Sequence, residues 1–338
     1  MRVSDRETAR NYLKYLEKAK SNFADTNERI ASGTRFTRIS DDVSAGTKAL
    51  RVRTDMSKAE EYSDNVKAVN EQMTTTENAM TSINNILTQA HAKVLKALNA
   101  TTGESGTTAI ANEIGAMREE ILQFANTKYN DMFVLGGASA GSAPFSTDSS
   151  GNLLYNGIDV NTISKKADGS YCYTDVSGTP KDVPMDSAVY VDVGLGITMT
   201  GSAVKSDTAM KVSYSGLDIL GFGKDSDGNP QNVYNMLTKI KDNISNSETL
   251  GKYDKKLVAF SATFKGYLTD IGSKTNFLDT IENRIDTSID TYKSQINRLV
   301  GVNDAEEATN QSMNDYVLKA VLSMGSKILP TSLMDFIR

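Results

Sequence analysis

Apolar residues recur along this chain in long, evenly spaced stripes. From Tyr62 the positions Val66, Val69, Met73, Thr76, Met80, Ile83, Leu87, Ala90, Val94 and Ala97 follow in strict 4-3 alternation. That spacing keeps one side of an α-helix apolar and is the heptad seam of a coiled coil. It predicts a helix from about residue 42 to 98, roughly 80 Å long at 1.5 Å per residue. "NATTGESGTT" (99–108) is a turn signal. Ile110, Ile114, Met117, Ile121 and Phe124 then make a second seam that folds back on the first. Leu278, Ile281, Ile285, Ile289, Tyr292, Ile296 and Leu299 make a third, and 231–246 reads as a further helix.

The middle of the chain breaks this period. Four of the five prolines lie in 144–230, and 14 of the 24 glycines fall between Gly136 and Gly228. Both residues disfavour helix interiors, so long helices belong to the flanks. Short β-prone runs alternate with turns here ("LLYNG", "YCYTD", "MKVSYSG"), and "VYVDVGLGITM" has the alternation of a hairpin. The expected fold is mainly α: a long antiparallel coiled-coil-like helical rod built from both chain ends, with a β-rich domain inserted in it. The divisions are 1–39 with 301–338, 40–136 with 230–300, and the insert 137–229.

Both chain ends carry their own stripes. Leu16, Ala19, Phe23, Thr26 and Ile30 form one. Met313, Val317, Ala320, Met324 and Ile328 form the other, widened by Leu318, Val321, Leu322 and Leu329. Neither end is large enough to bury that face alone. Its partners are the other end or copies from neighbouring molecules, which points to assembly.

Charge and candidate chemistry change this picture little. The net charge of −5 is interspersed, without the clustered basic face of a nucleic-acid binder. No apolar run approaches the roughly 20 residues of a membrane span, and the N-terminus lacks the apolar core of a Sec signal. His91 is the only histidine, so a two-histidine zinc motif is excluded. Cys172 is the only cysteine, which rules out an intrachain disulfide; with His91 it reads as a small buried thiol and a helix-surface imidazole rather than a nucleophile–base pair. "DILGFGK" (218–224) fails as a phosphate loop at Asp218 and Asp225 and reads as a glycine turn. "DSDGNP" (225–230) fails as a calcium loop at Pro230 and Met236 and reads as a boundary turn. The adjacent carboxylates Asp41/Asp42, Glu60/Glu61, Glu119/Glu120 and Glu306/Glu307 read as solvated helix faces. "NAT" (99–101), "NIS" (243–245) and "NQS" (310–312) are sequons of low information. No catalytic, cofactor or metal site is expected.

The stretch "GTRFTRISDD" (33–42) separates the first stripe from the long helix. Gly33 ends the first helix, Ser40 or Asp41 caps the second, and the aspartates suit its positive end. Arg35 and Arg38 are expected to be free for a neighbouring subunit's acids.

In its wider setting, "ERIASGTRFTRISDDVSAGTKALRVRTDM" (28–56) resembles the N-terminal signature of the flagellin family. "EEILQFANTKYNDMFVLGGASAGSAPF" (119–145), "NDAEEATNQSM" (303–313) and the terminal "SKILPTSLMDFIR" (326–338) are more similar to the branch of that family that joins hook to filament than to filament flagellin. The resemblance covers about three quarters of the chain. It departs where the family often has proline on either side of the paired aspartates; Ile39 and Val43 stand there. The resemblance implies a structural protein with no enzymatic activity, exported without a cleaved signal through the flagellar type III apparatus and assembled outside the cell. It implies hook-associated protein 1, flagellin, copies of itself in a ring and an export chaperone as partners, with filament flagellin itself the alternative. The terminal helices would order on assembly into an inner tube. The residues expected at that interface are Leu16, Phe23, Ile30, Arg35, Arg38, Asp41, Asp42, Val317, Val321, Met324, Ile328 and Phe336.

Overall fold

The computed structural model describes residues 2–99, 103–138, 141–175, 177–184, 186, 188–194, 196–201, 203–205 and 209–328. Seven α-helices stand in it: α1 (Arg2–Ser32), α2 (Val43–Leu98), α3 (Glu104–Ala125), α4 (Gly216–Leu220), α5 (Val233–Asp242), α6 (Ser247–Val300) and α7 (Asp304–Ile328). Small antiparallel β-sheets occupy the region between α3 and α4. The fold is mainly α with an inserted β-rich region, as the periodicity predicts. The chain forms two compact units, Met1–Glu60 with Asp286–Arg338, and Glu61–Ile285; α2 and α6 contribute to both.

In the second unit α2 and α6 pack antiparallel. Asn70 donates to Asp279 at 3.0 Å, and His91 faces Asp254 at 3.3 Å, so the two numberings run in opposite directions. The stripe read from the sequence is the buried one: Val66, Met73, Met80, Ile83, Leu87, Ala90 and Val94 on α2, Leu278, Ile281 and Ile285 on α6. Each large side chain of this kind stabilises by roughly 2 kcal/mol when fully buried. The second seam, on α3, packs against α5 and sends Glu113 to Lys93 of α2. α5 is amphipathic and starts on Asn232, whose side chain accepts from the Asn235 amide at 2.8 Å; Asn235 in turn accepts from the Leu153 amide at 3.1 Å. This helix end is thereby joined to a strand.

The insert is built from hairpins. β1 (Lys128–Tyr129) pairs with β2 (Met132–Phe133). β3 (Phe145–Thr147), β4 (Leu153–Tyr155) and β5 (Ile158–Asp159) form one three-stranded sheet; β6 (Ile163–Lys165), β7 (Tyr171–Thr174) and β8 (Pro180–Asp182) form another. β9 (Tyr190–Val191) pairs with β12 (Met210–Lys211), and β10 (Met199–Thr200) with β11 (Ala203–Val204). "VYVDVGLGITM" is therefore not a hairpin of its own. Its two halves take different partners, because Asp192 folds the run by accepting from the Gly194 and Gly196 amides. Asn156-Gly157, with φ of 50° and 81°, makes the two-residue turn between β4 and β5.

One five-residue turn recurs. Asp148, Asp175 and Asp225 each accept from the backbone amides two and four residues on, and each turn has a glycine at its fourth position. "DSDGNP" is the third copy, closed by Lys256, so the carboxylate is spent on its own loop. "DILGFGK" is the short helix α4 followed by left-handed Gly221 and Gly223, more than the simple glycine turn expected.

Buried tyrosines join the insert to the helices and one helix to another. Tyr171 donates to Asp218, with Lys165 over its ring. Tyr214 meets Asp270 at 3.2 Å and Lys274 at 3.0 Å. Tyr234 meets Glu119 at 3.2 Å under the Arg118 guanidinium. Glu119 is thus engaged, unlike the solvated face expected of it. Burial is the main cause that raises these phenols; Tyr234 is pushed up to about 12. Cys172 lies half-buried in β7 beside Ser164. It and His91 have different partners.

Lys256, with the Asn229 amide, holds the Asp225 carboxyl down to about 2. A depressed carboxyl contributes stability above its unfolded value near 4, lost as pH falls toward the folded value. The unfolding midpoint should fall with acidification across that window, and less steeply in Asp225→Asn. Equal acid sensitivity of parent and variant would show that the turn carries no such linkage.

Candidate assembly interface

The first unit holds every expected interface residue that the structure describes. Its centre is an antiparallel pair, α1 on α7. α1 turns Tyr12, Ala19 and Thr26 inward at seven-residue spacing, with Leu16 and Phe23 half-buried on the same side. This is the predicted N-terminal stripe, except that Ile30, at its end, is exposed. α7 behaves differently. The face turned inward carries Glu307, Gln311, Asn314, Leu318, Val321 and Gly325, of which Glu307 and Gly325 are the most buried. The predicted stripe lies outside: Met313 is 60%, Val317 42% and Met324 58% exposed, and Tyr316 and Leu322 are exposed with them. α7 thus meets α1 through the widening residues Leu318 and Val321.

Near the joint the seam is polar. Arg29 pairs with Glu307 at 3.4 Å; Glu307 is 6% exposed and also accepts from Asn310 at 3.1 Å. Gln311 donates to Asn27 at 2.8 Å. Asn314 donates to Thr26 at 2.8 Å, and Thr26 donates to the Asn22 carbonyl at 2.9 Å. The three pairs between α1 and α7 join residues more than 270 apart in the chain. At the far end the Tyr12 ring occupies the place of the missing Gly325 side chain, since a Cβ there would overlap it. Glycine inside a helix costs about 1 kcal/mol relative to alanine, and here it admits a ring. A glycine in the middle of the C-terminal stripe was the sequence signal for that close approach, and the asparagine and glutamine at stripe-adjacent positions were the signal for the polar seam. Neither entered the prediction.

The joint itself is a two-segment ladder. Thr34 and Gly301 form an antiparallel bridge, the Arg35 amide donates to the Val300 carbonyl at 2.8 Å, and the Val302 amide donates to Gly33 at 3.1 Å. Gly33 sits at φ 65°, as expected of the residue that ends α1. Asp42, rather than Ser40 or Asp41, caps α2: its side chain accepts from the Ala45 amide at 2.9 Å. Asp41 instead meets Ser40. Nor is Arg35 free. It pairs with Asp42 at 3.0 Å and reaches the Leu299 carbonyl at 3.4 Å. Arg38 is exposed, and its side chain makes no hydrogen bond or ion pair among the described residues. Ile39 rests on Gly46, whose added Cβ would be 3.0 Å from Ile39 Cγ2. A groove of about 550 Å³ runs beside the joint, lined by Met56, Ile296 and Val300 together with Arg53, Glu60 and Lys293. Phe336 and the Ile328 side chain lie outside the described residues. Among the described residues no cluster of three histidine, cysteine or acidic groups stands together, and no helix is long and apolar enough to cross a membrane.

Gly33→Ala should weaken this joint by about 1–2 kcal/mol, because the position is open in space and the whole cost is the left-handed backbone. Faster hydrogen exchange at the Arg35 and Val302 amides, with the second unit unchanged, is the expected result. Unaltered exchange would show that the ladder does not depend on this glycine.

Residues 3–140 match the family described as bacterial flagellin N-terminal helical region. Among solved structures, a candidate flagellar hook-associated protein from Vibrio parahaemolyticus shares 16% identity over 77% of this chain and 100% of its own, with a TM-score of 0.58. FlgL of Bacillus cereus matches at 17% identity over 73% of this chain and 98% of its own, with a TM-score of 0.49. The flagellar junction protein FlgL of Legionella pneumophila matches at 14% over 75% and 100%, with a TM-score of 0.47. No curated protein matches the chain. The helices α1, α2 and α3, with the joint between the first two, thus lie within the stretch that matches the bacterial flagellin N-terminal helical region, and the chain shares its fold with the candidate hook-associated protein.

Proposed function

We propose that this chain is a structural adapter of the bacterial flagellum that joins the hook, through hook-associated protein 1, to the flagellin filament. The observation that carries this is the apolar stripe Met313, Val317 and Met324, left exposed on a helix already paired through its other face. Burying such a stripe releases about 25 cal/mol per Å², and the partner of matching periodicity is a terminal helix of a neighbouring copy. Repeated head-to-tail contacts of this kind close into a ring or continue as a helix. Segments 1–39 and 301–338 serve as the inner-tube part, 40–136 with 230–300 as the helical part, and 137–229 as the outer part. The chain leaves the cell by the flagellar type III route, held by an export chaperone. A single cysteine suits threading through such a channel, because no disulfide can lock the chain. Leu16, Phe23 and Val321 stabilise the pair within one chain, whereas Val317, Met324 and Arg38 face other subunits; Ile328 and Phe336 extend that set.

Two substitutions test the stripe directly. Val317→Asp with Met324→Asp should leave folding within about 0.5 kcal/mol of the parent, as exposed substitutions do, and should abolish attachment of filament to hook. Val321→Asp is the poorer probe, since it also faces α1. In a strain lacking the gene, unpolymerised flagellin should accumulate in the medium, and the double variant should fail to restore filaments. Normal swimming of that strain would refute the adapter role. Loss of filament material altogether, with no flagellin released, would indicate filament flagellin instead.

Arg38→Glu isolates the charge contribution. Stability of the purified chain should not change, because Arg38 has no hydrogen-bond or ion-pair partner among the described residues, while complementation of the deletion strain should drop at raised salt first. Full complementation at all salt concentrations would remove Arg38 from the interface.

A further inference from the structure

α7 offers α1 two different faces, and the structure uses the less apolar one. Val317 and Leu318 are neighbours on one helix turn, separated by about 100° around the axis. Leu318 faces inward and Val317 is exposed. Axial slippage is prevented by the Thr34–Gly301 bridge and the amides of Arg35 and Val302. That ladder does not set the rotation of α7 about its own axis. Turned by one residue, α7 would lay Met313, Val317 and Met324 on Tyr12, Leu16, Ala19 and Phe23. This would bury more apolar surface and consume the assembly stripe.

We propose that the polar pairs Arg29–Glu307, Asn27–Gln311 and Thr26–Asn314 select the rotational setting of α7, and so keep its apolar face available to other subunits. They act in two ways. In the observed setting each donor has an acceptor within 2.8–3.4 Å. In the rotated setting, Met313 would take the place of Asn314 and cover the buried Thr26 hydroxyl, which would lose the bond that Asn314 donates to it. Polar residues at seam positions choose one arrangement at the expense of stability in the same way in coiled coils. Glu307, almost fully buried beside a half-exposed arginine, is the strongest sign that this seam is tuned for selectivity. The consequence for assembly rests on the adapter role; the rotational setting itself does not.

Cysteine pairs read the rotation in the purified full-length chain. Cys172→Ser removes the natural thiol. Ala19→Cys is then combined with Leu318→Cys for the observed setting, or with Val317→Cys for the rotated one. In the parent, the 318 pair should oxidise at least about tenfold faster, as three polar pairs warrant. Glu307→Ala, Gln311→Ala and Asn314→Ala together remove the selection while keeping α7 a good helix; the ratio should then fall to about threefold or less. Alanines at the exposed Thr309, Ser312 and Lys319 should leave the tenfold ratio intact, which controls for helix propensity. An unchanged ratio in the first triple variant would overturn the proposal. A ratio near one in the parent, or no disulfide from either pair, would overturn it equally. Failure of the parent chain to restore filaments, with the ratios as expected, would sink the adapter role and leave this inference standing.

Discussion

The antiparallel burial of one apolar stripe of α2 against α6 is the interaction on which the second unit depends. The buried positions Val66, Met73, Met80, Ile83 and Leu87 have no polar alternative, and their opposites on α6 are equally dry. Against this pair the small sheets of the insert become possible. Two- and three-stranded hairpins are marginal alone, and here both three-stranded sheets are tied to helices, Asn235 to β4 and Tyr171 to α4, while Tyr214 ties the segment after β12 to α6. A tyrosine is well suited to such a tie, since its ring adds apolar contact while its hydroxyl reaches a carboxylate at the boundary.

The first unit follows a different logic. Its helices are paired through a seam that turns from a ring-in-glycine contact at Tyr12 and Gly325 to polar pairs near the joint. Such a seam contributes less stabilisation per residue than the α2–α6 stripe, because hydrogen bonds in a folded protein replace hydrogen bonds to water. A helix pair held this way retains an unspent apolar face. On the adapter reading proposed above, a subunit that persists as a single chain and then joins others needs that combination of modest internal pairing and an external apolar stripe.

The joint "GTRFTRISDD" serves both helix pairs. Arg35 and Asp42, which look like a free cation and a solvated acid in the sequence, close the turn between α1 and α2, and Asp42 also caps the second helix. One carboxylate performs both tasks because its two oxygens point to different donors. Of the four charged side chains of this stretch, only Arg38 has no hydrogen bond or ion pair among the described residues, which is why it, rather than Arg35, carries the intersubunit proposal.

Much of this was legible in the chain itself. The heptad stripe of α2, the third seam on α6, the glycine and proline clustering that marks the insert, and the end of α1 at Gly33 are local properties: a period, or a residue that cannot continue a helix. The sequence alone therefore determined that the flanks are long helices, which side of α2 and of the later part of α6 is apolar, and where the β-rich region lies. It could not say which of two stripes α7 would turn toward α1, since a seven-residue period is the same for a partner in the chain and a partner outside it. Nor could it say that the halves of "VYVDVGLGITM" pair elsewhere, or that Asp42 rather than Asp41 caps α2. The setting of α7 depends on residues hundreds of positions away, brought together only by folding, such as Glu307 beside Arg29 and Asn314 beside Thr26; the strand partners and the cap depend on nearer ones, β9 with β12, β10 with β11 and Asp42 with the Ala45 amide. Tertiary structure decided them because a hydrogen bond needs its partner in place, whereas an apolar stripe needs only any dry surface.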